Sequence, residues 1–428
     1  MSTAGPRVGL VPSEPLRASM AGIGIRYLEM ARRLPAAGLE VVLVTAGDPA
    51  DVPDVGLPAT QVRQFERGRL GEILGDCDVV VSQGQLANDV VLELSTTPVV
   101  IDLYDPFLVE NLTYVESLGL DPWRNDHATW VLQMSHGDFF LCSCQEQRQF
   151  YLGFLTALGR VNPRRLHDDP DLRGLVDVVP FGVPDALPPY APYLDRPSRP
   201  VRRLLFGGLY DWYDPWPVLE AVERRPSEPW QLIFVRNPNP ETPQRLMHEV
   251  EVWARRHGLW GDRVLAIGWV PSERRWDLLR DADVVVATHR PTLETDLSLR
   301  TRFLDALAAR RPVVTTDGGG MSRLLRRHDA GWVVPPDDAD AVGTALEAAL
   351  DPARLEPKLR GAEALLDAFA WDRALAPLVA FCRAPCLDAT KREFAFRPTT
   401  HAPPDRLSLR LRRRLRGWWR RRSEAAAS

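Results

Sequence analysis

The chain has 428 residues, 45% of them hydrophobic, which is enough for two domains with full cores. Its net charge of −4 excludes the strongly basic body of a nucleic-acid-binding protein, and neither a signal-like apolar core near the N-terminus nor a spanning run of about 18 apolar residues occurs. The five cysteines are odd in number; the Cys142/Cys144 and Cys382/Cys386 pairs have no second pair at zinc-site spacing, so they read as buried thiols of a reducing compartment, with no metal expected.

Residues 7–12 (RVGLVP) predict a strand. Ile25, Leu28, Ala31 and Leu34 recur at helical spacing up to Gly38, and EVVLVT follows as a second strand, a βαβ opening. Gly22 and Gly24 would let the backbone approach a ligand before that helix, or make a plain flexible turn. The dinucleotide fingerprint is absent, because the glycines trail the strand by ten residues and a third is lacking, which disfavours a nicotinamide dehydrogenase. Residues 78–82 (DVVVS) and 98–103 (PVVIDL) predict further buried strands. Asp102, Tyr104 and Asp105 fall just past a strand's carboxyl end, where ligands of such sheets bind. Asp102 and Asp105 are the candidate catalytic residues, to orient an acceptor hydroxyl or take its proton; turn capping before Pro106 is the competing role. His136 precedes another strand and reads as structural. The first half ends at DVVPFG (177–182), and the proline-rich 184–200 reads as a stiff linker.

The second half repeats the pattern. A strand at 203–206 runs into Gly207, Gly208 and the aromatic loop LYDWYDPW before a helix at 217–224, a second candidate phosphate-facing turn. Strands QLIFV, VLAI (264–267), 283–287 and 312–316 follow, then GWVVP and the helical DDADAVGTALEAAL. His289 and Arg290 close the 283–287 strand toward the same cleft. Ser298 is placed to cap a helix whose Leu299, Phe303, Leu304 and Leu307 face the sheet, with Arg300 and Arg302 in its first turn. Cations there oppose the helix dipole unless an anion is supplied from outside, so the turn suits a diphosphate; pairing with Glu294 and Asp296 is the alternative. Asp305, on the same helix, would accept from ribose hydroxyls or be an ordinary solvated carboxylate.

The order of polar loop, acidic residue, helix with an acidic residue and LA, then PVV and GGG resembles the nucleotide-sugar site of family-4 glycosyltransferases, which have the GT-B fold. That family places two glutamates eight residues apart, the second on the nucleotide ribose; Asp305 matches the second, but Leu297 stands eight before it, and Glu294 and Asp296 are out of register. The family's arginine and lysine after the first strand of the second domain are also missing, and no lysine precedes Lys358, which leaves Arg236, Arg300 and Arg302 as candidates for the diphosphate. The resemblance implies an α/β GT-B-like fold of two doubly wound Rossmann-like domains facing across a cleft. Residues 1–183 would bind the acceptor, joined by a crossing helix at 363–384 interrupted at Pro377, and 201–362 the donor. Together with the residue readings above, it gives Gly22, Gly24, Gly207, Gly208, Arg236, Glu294, Ser298, Arg300, Arg302 and Asp305 as the candidate donor-binding set. It further implies retaining hexosyl transfer from a nucleotide-diphosphate sugar as co-substrate, with no metal or other cofactor.

The last stretch, 385–428, is a linker and tail. From 405 to 428 nine arginines face Asp405 and Glu424, a net of +7 against −11 for the rest of the chain. Leu407, Leu411, Leu415 and Trp418 form one apolar stripe, so 405–422 predicts a basic amphipathic helix for an anionic membrane, with a solvated tail as the plainer alternative and nucleic acid not expected. A cytoplasmic glycosyltransferase at the inner face of the membrane, acting on a lipid-linked or polysaccharide acceptor in cell-surface glycan assembly, follows as the expectation. A degenerate GT-B scaffold and a nucleotide-sugar epimerase are the alternatives.

Overall fold

The structure, a computed structural model, describes residues 5–237 and 243–395; the basic tail at 405–428 lies outside the described residues. Short β-branched runs without polar alternation are the sequence form of strands covered on both faces, and they build two parallel sheets. The first comprises β1 (Arg7–Val11), β2 (Glu40–Thr45), β3 (Val62–Gln64), β4 (Val79–Ser82), β5 (Val99–Asp102), β6 (Phe139–Cys142) and β7 (Val176–Val178), in the order β3-β2-β1-β4-β5-β6-β7. The second comprises β8 (Arg202–Gly208), β9 (Trp230–Val235), β10 (Val264–Ile267), β11 (Val284–Ala287), β12 (Val313–Thr316) and β13 (Trp332–Val334), in the order β10-β9-β8-β11-β12-β13. Every pairing is parallel. The order reverses between β1 and β4 and between β8 and β11, and crevices open at such switch points.

The edge strand β3 (VRQ) escaped the sequence reading because it is short, polar and only partly buried. The expected crossing helix is broken into the end of Pro352–Leu366, a 3-10 turn at Asp367–Phe369, and helices Trp371–Ala374 and Ala376–Arg383. Pro377 stands in the first turn of the last of these, where its missing N–H costs nothing, so it starts a helix instead of kinking one. These segments pack against the first sheet. Trp371, Leu375, Leu378 and Cys382 complete the first domain's core, Phe381 stacks on Phe139 at 4.6 Å, and Val183 N–H donates to Phe369 O at the hinge.

Candidate functional site

A cleft lined from both domains has two lobes, of about 310 and 280 Å³. Gly22, Tyr210, Thr301 and Arg302 border both. The first lobe is walled by Gly207, Gly208, Trp269, Arg275 and Asp305, the second by Asp105, Glu110, Trp212, Ser298 and Arg300.

On the second domain's side, Gly207 has φ +82°, and an added Cβ would lie 3.3 Å from Arg302, so the irregularity near the end of β8 needs a residue without a side chain. Arg302, in the first turn of the helix Thr301–Ala308, donates to Phe206 O (2.6 Å) and Gly208 O (2.9 Å) and lies over Tyr213. It thereby ties this helix to β8 while still bordering both lobes. Ser298 is not the cap of that helix. It ends the preceding helix, Leu293–Leu297, and its hydroxyl donates to Glu294 (2.7 Å), whereas Arg300 holds the N-cap position. Arg300 pairs with Glu294 at 2.5 Å, both nearly buried, so here the ion-pair alternative is realised. Asp296 accepts from Gly319 N–H at 3.3 Å, at the start of the helix Gly319–Arg327.

Asp305 faces the first lobe. Its Oδ2 lies 3.6 Å from Arg275 Nε, and its Oδ1 is buried without a partner. Burial raises its pKa to about 6, with Arg275 opposing. Arg236, by contrast, turns out of the cleft to Glu251 (2.7 Å) and the face of Trp260, and does not line either lobe. His289 is wholly buried behind the arginines, which together with burial hold it neutral; Arg290 is exposed, and neither lines a lobe.

The first domain sorts its two aspartates apart. Asp102 is sealed beneath the cleft, where both oxygens accept from Arg26 (2.7 and 3.1 Å), whose remaining donors reach Val179 O and Pro180 O near the hinge. A carboxylate so enclosed cannot reach an acceptor, and the catalytic expectation for Asp102 gives way to a structural role. Asp105 does line the second lobe, where burial and then Asp102 raise its pKa to about 7. Glu110, which no motif marked, faces the same lobe with its pKa raised well above the ordinary value, by burial and then by Asp105. The glycine turn is half as expected. Gly22 borders both lobes, but Gly24 is packed on Met20, and its N–H, with that of Ala21, donates to Glu14 (2.8 and 2.6 Å). The N-terminus of the helix Gly22–Arg33 thus already holds an anion from its own chain. His136 lies away from the cleft, bonded to Leu132 O.

Leu297 stands where the resembled family has a glutamate. It joins the first domain's core, and its carbonyl accepts from Cys144 Sγ at 3.6 Å, so this position holds the two domains together.

Residues 207–351 match the family model described as "Glycosyl transferases group 1". Among solved structures, similar folds include sucrose-phosphate synthase from Thermosynechococcus elongatus (18% identity, TM-score 0.62, covering 88% of this chain and 98% of that one). HepE of Anabaena in complex with UDP-glucose follows at 15% identity and TM-score 0.60, with 88% and 98% covered. WaaG, a glycosyltransferase involved in lipopolysaccharide biosynthesis, has 15% identity and TM-score 0.55, with 89% and 100% covered. No curated protein matches the sequence. The fold is GT-B, and the group 1 glycosyltransferase match falls on its second domain.

Proposed function

We propose that the protein transfers a sugar from a nucleotide-diphosphate sugar to an acceptor held against the first domain. The observation that carries this reading is the lobe between Gly207 and Asp305, bordered by Arg302 and the N-terminus of Thr301–Ala308, within the stretch that matches the glycosyltransferase family. A helix N-terminus with a guanidinium stabilises a leaving diphosphate as charge develops on it. Arg302, with Arg300 behind it, would fill the place a metal holds elsewhere, and Asp305 would accept from the ribose. HepE, bound to UDP-glucose, has the same fold and supports a nucleotide-sugar donor. Asp105, with Glu110, would face the acceptor hydroxyl.

The finer reading is hexosyl transfer with retention onto a lipid-linked or polysaccharide acceptor, in a family-4-like enzyme of surface glycan assembly held at the cytoplasmic membrane face by 405–422. The composition of that tail supports it, as does the fold shared with WaaG. No helix among the described residues is long and apolar enough to cross a membrane. A second reading, a GT-B protein that binds the nucleotide sugar without turning it over, draws support from Arg300 and Arg302 being engaged by Glu294 and by main-chain carbonyls.

Thermal unfolding against nucleoside diphosphates and nucleotide sugars tests the donor site: a ligand at a hundred times its dissociation constant stabilises by about 2.7 kcal/mol. A folded protein that no nucleotide shifts would end the proposal. Binding without release of the nucleoside diphosphate, in the presence of candidate glycan acceptors, would favour the second reading.

A further inference from the structure

Arg275 belongs to none of the motifs, yet it is the charged group set beside Asp305 in the first lobe. Its Nε stands 3.6 Å from Asp305 Oδ2, its guanidinium lies over Trp276 at 4.5 Å, and its Nη1 donates to Ser272 O at 3.0 Å. These contacts hold the side chain between Asp305, Trp276 and Ser272. Arg275 Nε and Asp305 Oδ1 are both buried and lack hydrogen-bond partners, and both residues line the cavity. A carboxylate oxygen left without a partner at a cavity wall calls for a donor from a ligand.

Other charges around this helix are engaged elsewhere. Arg302 of the same helix holds the carbonyls of Phe206 and Gly208. On the helix Arg275–Asp281, Asp277 pairs with Arg280 and Arg274. On the helix Pro352–Leu366, Arg354 pairs with Asp351, Arg360 with Glu356, Lys358 with Asp329, and Glu363 with Arg310 of the loop after Asp305's helix. Among the described residues Arg275 is therefore the cation that answers Asp305.

We propose that Arg275 is a positioning residue that keeps Asp305 ionised, so that its free oxygen accepts hydrogen bonds from the vicinal hydroxyls of a ligand's ribose. This rests on the nucleotide-sugar reading and adds a residue to it. An isolated carboxyl in that wall would take up a proton; once protonated it has one fewer lone pair to offer and a donor of its own to satisfy. Ser272, which anchors Arg275, also donates its N–H and hydroxyl to Ala18 O of the first domain, each at 3.1 Å. The positioning residue thus sits where the two domains meet.

The test uses the full chain and UDP, ADP and GDP as probes, with affinities measured by calorimetry at pH 7 and pH 9 on the wild type, Arg275→Gln, Arg275→Lys and Asp305→Asn. In Arg275→Gln the carboxyl of Asp305 titrates higher, so binding of the diphosphate that the wild type accepts should be weaker at pH 7, by about twofold if its pKa rises one unit from about 6 and about tenfold if it rises two, and largely recovered at pH 9. Arg275→Lys should keep the wild-type profile, and Asp305→Asn should be weak at both pH values. Equal loss at both pH values in Arg275→Gln, or no loss, would overturn the assignment. Titration of Asp305 by carbon-13 NMR in the ligand-free protein, assigned with Asp305→Asn, separates the two claims. If the wild type binds none of the diphosphates, the donor reading falls, and an unchanged Asp305 titration in Arg275→Gln would also remove Arg275's part.

Discussion

The two domains end their sheets in the same way, with an acidic residue and an arginine near the carboxyl edge, and use them oppositely. In the first, Asp102 and Arg26 close on each other beneath the cleft and stitch β5 to the hinge at Val179 and Pro180. In the second, Asp305 and Arg275 approach only to 3.6 Å and leave an oxygen on the cavity wall. The glycine turns differ in the same sense. The turn after β1 is filled by Glu14, while the end of β8 presents carbonyls to Arg302. An ion pair complete within the protein supports geometry; an incomplete one is available to a ligand. The first domain's pair is closed within the protein, and the second's is left open to the cavity.

Breaking the closed pair should cost most. Asp102→Ala strands Arg26 as a buried, unpaired cation, and loss of one partner of such a pair costs about 3–5 kcal/mol, so the melting temperature should fall by roughly 10 °C. A loss below about 1 kcal/mol would mean that the pair is not closed as described here. The arginines beside the open lobe come next. Arg302→Ala should weaken nucleoside diphosphate binding by about 1–3 kcal/mol, whereas Arg236→Ala, already turned to Glu251, should leave it unchanged in the same titration. Reversal of those two results would favour Arg236 over Arg302 among the diphosphate candidates.

The smallest effect concerns Asp105, the carboxyl left open on the first domain's side. Its folded pKa of about 7 is above the unfolded value, so the native state holds a proton that the unfolded chain has released across about pH 4–7. Stability therefore falls as pH rises through that window. Asp105→Asn removes the penalty and should gain on the wild type between pH 5 and pH 8. Discounted for the group's access to solvent in the cavity, the gain is about 1 kcal/mol, read by denaturant unfolding at the two pH values. A constant difference between wild type and variant would show that Asp105 is ordinary.

The pattern of elements was legible in the sequence because parallel strands and amphipathic helices are local, periodic objects: β2 and β10 fall on the residues their runs of Val, Leu and Ile mark. Position relative to the cleft was legible where it follows from topology, as for Asp105, Gly22, Gly207 and Asp305. What each charged group does was not. Asp102 and Asp105 are three residues apart and look alike in one dimension, but Arg26, 76 residues away, reaches only the first. Glu14, Glu110 and Arg275 carry no spacing signal, since they meet their partners through packing between elements distant in the chain. Leu297 looks like a lapse from a motif until the fold sets it in the other domain's core. The sequence determined the two sheets and the strand ends that border the cleft. Tertiary structure alone decided which charges neutralise one another and which remain open, because that depends on distances and burial across segments that no local pattern encodes.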